Sequence, residues 1–149
     1  MTLNLASRQL DEALGPWRQL PRATPASGWL RAIRQALGLT TRQLAARVGV
    51  SQSAVVDVEG NEARGDVTLA TLQRYADALN CDLRYALVPR QPLQDMLQQR
   101  ADEVARQQVE RVGHSMALEG QSTSPEFREV EVARLRAMLL DGKPSRLWK

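Results

Sequence analysis

At 149 residues, 43% hydrophobic and 25% charged, the chain can fold as one medium domain or as a small domain with appendages. One cysteine (Cys81) and one histidine (His114) exclude an intramolecular disulfide, a cysteine-based zinc site and a paired-imidazole metal site. The net charge of +3 permits nucleic-acid binding without arguing for it, and no apolar run nears the ~18 residues of a membrane span.

Residues 3–14 have the spacing of an amphipathic helix, with Leu3, Leu10 and Leu14 on one side and Gly15-Pro16 as its stop. Residues 15–27, with three prolines, read as a connecting segment. Ser27 opens a helix with Leu30, Ile33 and Leu37 inward, Arg31 and Arg34 outward, and Gly38 at its end. Thr40 and Gln43 have the capping-box spacing, in which a hydroxyl serves a free N–H and an amide reaches back. Leu44, Ala45 and Val48 then share one face, Gly49 ends the helix where φ > 0 is needed, and Val50 plugs the turn. Ser51 can cap a second helix with Val55 and Val58 inward and Gln52, Ser53, Val56 and Asp57 outward. Residues 60–67 read as a loop, and Thr68 caps a helix with Leu69, Leu72, Tyr75, Ala76 and Leu79 as its buried stripe.

Residues 82–88 alternate, with Leu83, Tyr85 and Leu87 against Asp82, Arg84 and Ala86, which predicts a strand closed by Pro89. A lone strand needs a partner. Symmetry favours the same strand of a second copy and hence a homodimer; the alternative is pairing with the chain's own N-terminal segment. From Pro92 to about Gly120 the pattern is one long helix. Ser124-Pro125-Glu126 then reads as cap, first-turn proline and a favourable charge for a last helix carrying Phe127, Val130, Leu135, Met138 and Leu139. Trp148, in the tail, must pack or contact something.

Two short helices at a sharp angle, the second with hydrogen-bonding groups at its start, present a helix to the DNA major groove. The segment TTRQLAARVGVSQSAVVDVE (Thr40 to Glu59), with its flanks from Ser27 to Asn80, resembles the helix-turn-helix domain of the Cro/repressor-like (XRE) family. That resemblance implies base contacts from Gln52 and Ser53, with Asp57 one turn further on the same face. It implies phosphate contacts from Ser51 and Thr41 at helix N-termini, and from Arg42 and Arg64. Glutamine suits adenine, since its amide donates and accepts at once. Asp57 departs from the neutral or basic residue common in the family; it could accept from a cytosine amino group, or mark weak binding that needs a dimer or a corepressor.

Such a domain does not need sixty further residues, so the C-terminal half must bind something else or build an oligomer. Ser115-Met116-Ala117-Leu118-Glu119-Gly120 matches [S/T]-x-x-x-E-[G/N], and so resembles the inhibitory signature of antitoxins that silence Fic-domain adenylyltransferases. In those antitoxins a glutamate meets an arginine of the toxin's ATP site and occupies the place of the γ-phosphate. The resemblance gives that role to Glu119, with Ser115 one turn earlier and Gly120 turning the chain away. GWLRAIRQALG, NCDLRYALVPR and VGHSMALEGQ extend it: most of residues 8–121 is similar to the mobile mystery protein A family, found on mobile elements beside a Fic-domain partner. Glu59-Gly60-Asn61 and Arg64 look like part of the Fic catalytic loop H-x-F-x-[D/E]-G-N-G-R, but Val55 and Asp57 stand where its His and Phe belong, so the chain is not the enzyme.

The expected fold is mainly all-α: a Cro/repressor-like helix-turn-helix bundle with one short β-strand and a C-terminal helical extension. Its parts are an N-terminal helix and linker (1–26), the DNA-binding domain (27–80), a dimerisation strand (81–89, through Leu83, Tyr85 and Leu87) and the extension (90–149). The expected function is that of an antitoxin and autorepressor with operator DNA, a Fic-domain adenylyltransferase toxin and a second copy as partners. No catalytic, metal or cofactor site is expected. The absence of a signal-peptide pattern in residues 1–20 predicts a reduced, cytoplasmic protein. The competing reading is a stand-alone repressor whose C-terminal region oligomerises or senses a ligand.

Overall fold

Thr40, Ser51, Thr68 and Ser124 each begin a helix by accepting a hydrogen bond from the backbone N–H three residues on, at Gln43, Ala54, Thr71 and Phe127. The computed structural model describes residues 5–121 and 123–149. Leu3, expected on the inner side of the first helix, lies outside the described residues. Those residues form two compact units, one of residues 21–86 and one of residues 5–20 with 87–149. No helix among them is long and apolar enough to cross a membrane.

The unit of residues 21–86 holds α2 (Trp29–Ala36), α3 (Thr41–Val48), α4 (Gln52–Arg64) and α5 (Leu69–Ala78). Leu30, Leu44, Ala45, Val55, Tyr75 and Leu79 form its core, with Ile33, Leu39, Val48, Val50, Val58 and Leu72 packed around them. Four expectations need correction here, the first being Leu69, expected in the buried stripe of α5 but exposed at its first turn. Leu37 is exposed rather than inward, because α2 stops at Ala36 and the chain turns through Gly38 (φ 69°), which brings Leu39 onto the core instead. Arg34, expected outward, is buried at 8% exposure, because Glu59 (5%) meets it inside the unit. Residues 60–64 are the last turns of α4 rather than a loop; Glu59 and Glu62, a turn apart, both bond across to α2, and the helix ends at Gly65 in the left-handed region (φ 75°).

Ser27 does not cap α2. The N-cap is Gly28, without a side-chain cap of its own, and the Glu62 carboxylate accepts from the Trp29 and Leu30 N–H groups at 2.9 Å each. A tertiary carboxylate thus does what a local hydroxyl does at the other helices.

The predicted strand is absent: no strand occurs among the described residues. A strand exists through its ladder bonds, and within one chain residues 82–88 find no neighbouring edge. The Cys81 N–H is engaged by Ala76 O at 2.8 Å, Tyr85 and Leu87 stand exposed, and residues 5–18, the alternative partner, are helical.

The second unit is built on α6 (Leu93–Leu118) and α7 (Pro125–Asp141), with α1 (Leu5–Arg18) and a short 3-10 helix, Pro144–Trp148. α6 and α7 run antiparallel. Arg106 bonds Asp102 (2.8 Å) on its own helix and Glu129 (2.9 Å) across the hairpin, and these two carboxylates hold its guanidinium pKa well above the ordinary value. Ala101, Ala105 and Val132 are buried along the contact; nearer the hairpin's turn, Val109, Val112, Met116, Phe127 and Leu135 line an apolar cleft. Gly15-Pro16 does not stop α1, which continues to Arg18. Proline disrupts a helix through its missing N–H and its clash with the carbonyl four residues back; Pro16 falls in the last turn, where Arg18 is held by Asp11 Oδ1 (3.2 Å) and Pro89 O (3.3 Å). Asp11 also accepts from the Leu93 (2.7 Å) and Gln94 (3.1 Å) N–H groups, closing the start of α6. At the other end Leu147 is buried, its carbonyl accepts from Arg100 Nε at 2.7 Å, and the same guanidinium lies 5.8 Å from the Trp148 ring centroid.

Candidate nucleic-acid interface

α3, the turn and α4 are organised by short-range bonds legible in the residue types. Thr40 and Gln43 form a complete capping box. Gly49 (φ 81°) takes the left-handed conformation, and the N–H groups of Gly49 and Val50 both reach Ala45 O, at 2.9 and 3.0 Å. Val50 packs on the core, which sets the direction of the chain into Ser51. Ser51 Oγ accepts from Ala54 N at 3.2 Å and lies 3.1 Å from Ser53 Oγ.

Gln52 Nε2 donates to Thr41 Oγ1 at 2.9 Å, joining the first turns of α3 and α4. Gln52 keeps its amide oxygen and a second N–H for an outside partner. Thr41, Ser51, Gln52 and Ser53 are therefore brought together at one edge. Asp57 and Val56 are exposed further along α4. Arg42 is exposed on α3. Arg64 stands apart, about 18 Å along α4 from Gln52 at 1.5 Å per residue, and its guanidinium bonds Asn61 Oδ1.

The electrostatics of the unit follow from what it buries. Every arginine of residues 21–86 except Arg34 is exposed, whereas Glu59 and Glu62 are engaged inward. Seven arginines of residues 21–86 are thus exposed against four exposed aspartates, Asp57, Asp66, Asp77 and Asp82. Arg34 and Glu59 pair side-on through one guanidinium edge, Nε to Oε1 and Nη2 to Oε2 at 3.1 Å, and Arg34 Nη1 donates to Leu39 O at 2.9 Å. The bond to Glu59 holds the arginine's pKa above its ordinary value in spite of burial. Sequence reasoning missed both this pair and the Glu62 cap. Each joins residues more than twenty positions apart, and no local pattern marks them.

The remaining predicted groups lie elsewhere. Leu83 is half-buried, and Tyr85 and Leu87 are exposed. Ser115 is on α6, where its Oγ donates to Arg111 O at 3.2 Å. Glu119 is the C-cap of α6, exposed, followed by Gly120 at φ 78°. The Gln121 N–H returns to Met116 O at 2.9 Å, so the chain turns sharply just after Glu119.

Residues 30–85 match the family model described as Helix-turn-helix, a span that runs from the first turn of α2 to Tyr85. No curated protein and no solved structure matches the chain.

Proposed function

With residues 30–85 a helix-turn-helix DNA-binding domain of the XRE/Cro type, we propose that the protein is an antitoxin and transcriptional autorepressor. It binds operator DNA through α4 and inhibits a partner Fic-type adenylyltransferase through Glu119. The observation that carries the DNA half is the hydrogen bond from Gln52 to Thr41, which orients an amide at the exposed start of the recognition helix. Ser51, Ser53, Thr41, Arg42 and Arg64 complete the contact surface as phosphate and base-edge groups, with Asp57 one turn beyond Ser53. The DNA-bound species is a homodimer, as paired half-sites require. Leu83, Tyr85 and Leu87 of the segment between α5 and α6 form its contact, the latter two being exposed.

The inhibitory half rests on the Ser115–Gly120 motif. A carboxylate at an exposed helix end, with the chain turning away behind it, is accessible to an arginine in another protein's nucleotide site. Occupying the γ-phosphate position there prevents ATP from reaching its reactive pose. The test is transfer of labelled AMP by the Fic-domain protein encoded beside this one, with the wild-type chain and with Glu119→Gly. Silencing by the wild type, and binding without silencing by the variant, is the expected result. Transfer unaffected by either chain removes the antitoxin half and leaves a stand-alone repressor.

A further inference from the structure

Near its turn, the hairpin of α6 and α7 holds a cleft of about 390 Å³. Val109, Val112 and Met116 of α6 line it together with Phe127 and Leu135 of α7. Small-molecule sites occupy ~300–1,000 Å³ and have this make-up, apolar walls with a few polar groups among them. Part of the room comes from Gly113, which also lines the cleft. It lies inside α6 with no positive φ, and a Cβ there would meet no neighbouring atom within 4 Å. Glycine weakens a helix interior relative to alanine, and neither its backbone conformation nor crowding calls for it here. What Gly113 does is keep the cleft open to a molecule lying against α6.

The charge left over in the cleft is positive. Arg128 spends Nε on Thr123 Oγ1 (3.2 Å) and has no carboxylate partner among the described residues. A guanidinium has five donors, so its two terminal amino groups remain for an outside acceptor. Glu131, the other charged group of the lining, already has Arg134 at 3.7 Å.

We propose that this cleft binds a small amphipathic acid. The apolar body lies between the two helices beside Gly113, and the anionic group takes the terminal edge of Arg128 in charge-assisted hydrogen bonds. The inference depends on neither the operator nor the Fic-directed reading, since the cleft contains none of the residues given to those roles.

Fluorescence of anilinonaphthalene sulfonate, an apolar ring system with one anionic group, tests it on the full chain. The probe is expected to saturate a single site. Decanoate should displace it roughly tenfold more effectively than decanol, whose head carries no charge. Gly113→Leu fills the cleft and is expected to abolish probe binding while the melting temperature holds or rises. Gly113→Ala, a smaller filling, weakens binding with the fold retained. Arg128→Gln removes the preference for decanoate over decanol. Val130→Asp, at an exposed position outside the cleft, leaves binding unchanged and so separates the cleft from other apolar surface. Absence of saturable binding, binding that survives Gly113→Leu, or its loss in Val130→Asp overturns the inference. So does equal displacement by the two competitors, or a decanoate preference that outlasts Arg128→Gln.

Discussion

Gln52 and Thr41, each the first residue of its helix, are joined by a side-chain hydrogen bond of 2.9 Å. The bond couples the amide proposed to read a base to the first turn of the preceding helix. In that proposed role the Gln52 side chain is held before DNA arrives, and less of its rotamer freedom remains to be lost on binding.

Replacing Gln52 by Ala is expected to lower the preference for operator over scrambled DNA by about 1–3 kcal/mol, while nonspecific, salt-sensitive binding persists. Thr41→Val keeps the shape and removes the acceptor, and should give a smaller loss of the same sign. Fluorescence anisotropy on both DNAs at several salt concentrations measures this. A Thr41→Val effect that is equal on both DNAs would instead make Thr41 a phosphate contact alone, and an unchanged ratio for Gln52→Ala would refute the role given to Gln52.

The Arg34–Glu59 pair is the polar centre of the DNA-binding unit. Truncating one partner leaves the other charge buried and uncompensated, so Glu59→Ala should cost about 3–5 kcal/mol of stability. The double change Arg34→Met with Glu59→Leu removes both charges and should be far milder than either single truncation, or even stabilising. Urea denaturation of the three variants decides whether the pair adds stability or only becomes costly when half broken.

Gly28 has φ 81° and ψ 163°, a region open in practice only to glycine, and a Cβ there would sit 2.7 Å from Glu62 Oε2. Gly28→Ala should therefore cost about 1–3 kcal/mol from backbone strain and also displace the carboxylate that caps α2. Glu62→Gln keeps one acceptor and should lower the melting temperature less than Glu62→Ala does. Equal losses for the two Glu62 variants would mean that the cap contributes through packing and not through its hydrogen bonds.

Asp11 gives the other unit a pH dependence. Burial alone would raise its pKa, but the Leu93 and Gln94 N–H groups and the Arg18 guanidinium together outweigh that and bring it below 3.8. A depressed carboxylate contributes stability that is present above the unfolded value and lost as pH falls through the folded one. The docking of α1 on α6 should accordingly hold at neutral pH and weaken progressively below about pH 4. Asp11→Asn should weaken it at neutral pH and flatten the acid dependence. Hydrogen exchange of the amides at the start of α6 as a function of pH reads this directly, and a variant with the wild-type acid profile would assign the dependence to another group.

Much of this protein is set within a few residues of chain. Thr40 with Gln43, Ser51, Thr68, and Ser124 with Pro125 are where the helices start, because a free N–H at a helix start takes whichever hydroxyl is three residues away. Gly49 ends α3 because the turn needs a positive φ, and the motif helices follow from periodicity. The candidate DNA-reading edge was legible for the same reason: it is a property of two adjacent helix starts. Tertiary structure alone decided the rest. Arg34 turned inward because Glu59, twenty-five residues on, met it there; α4 outran its expected end because Glu59 and Glu62 both had partners on α2. Pro16 stayed inside α1 because Asp11 and Pro89 held Arg18, and the alternating residues 82–88 formed no strand because a ladder needs a second edge that one chain does not supply. Caps and turns are local bonds and can be read from spacing, whereas buried charges and strand pairing depend on which distant groups folding brings within 3 Å.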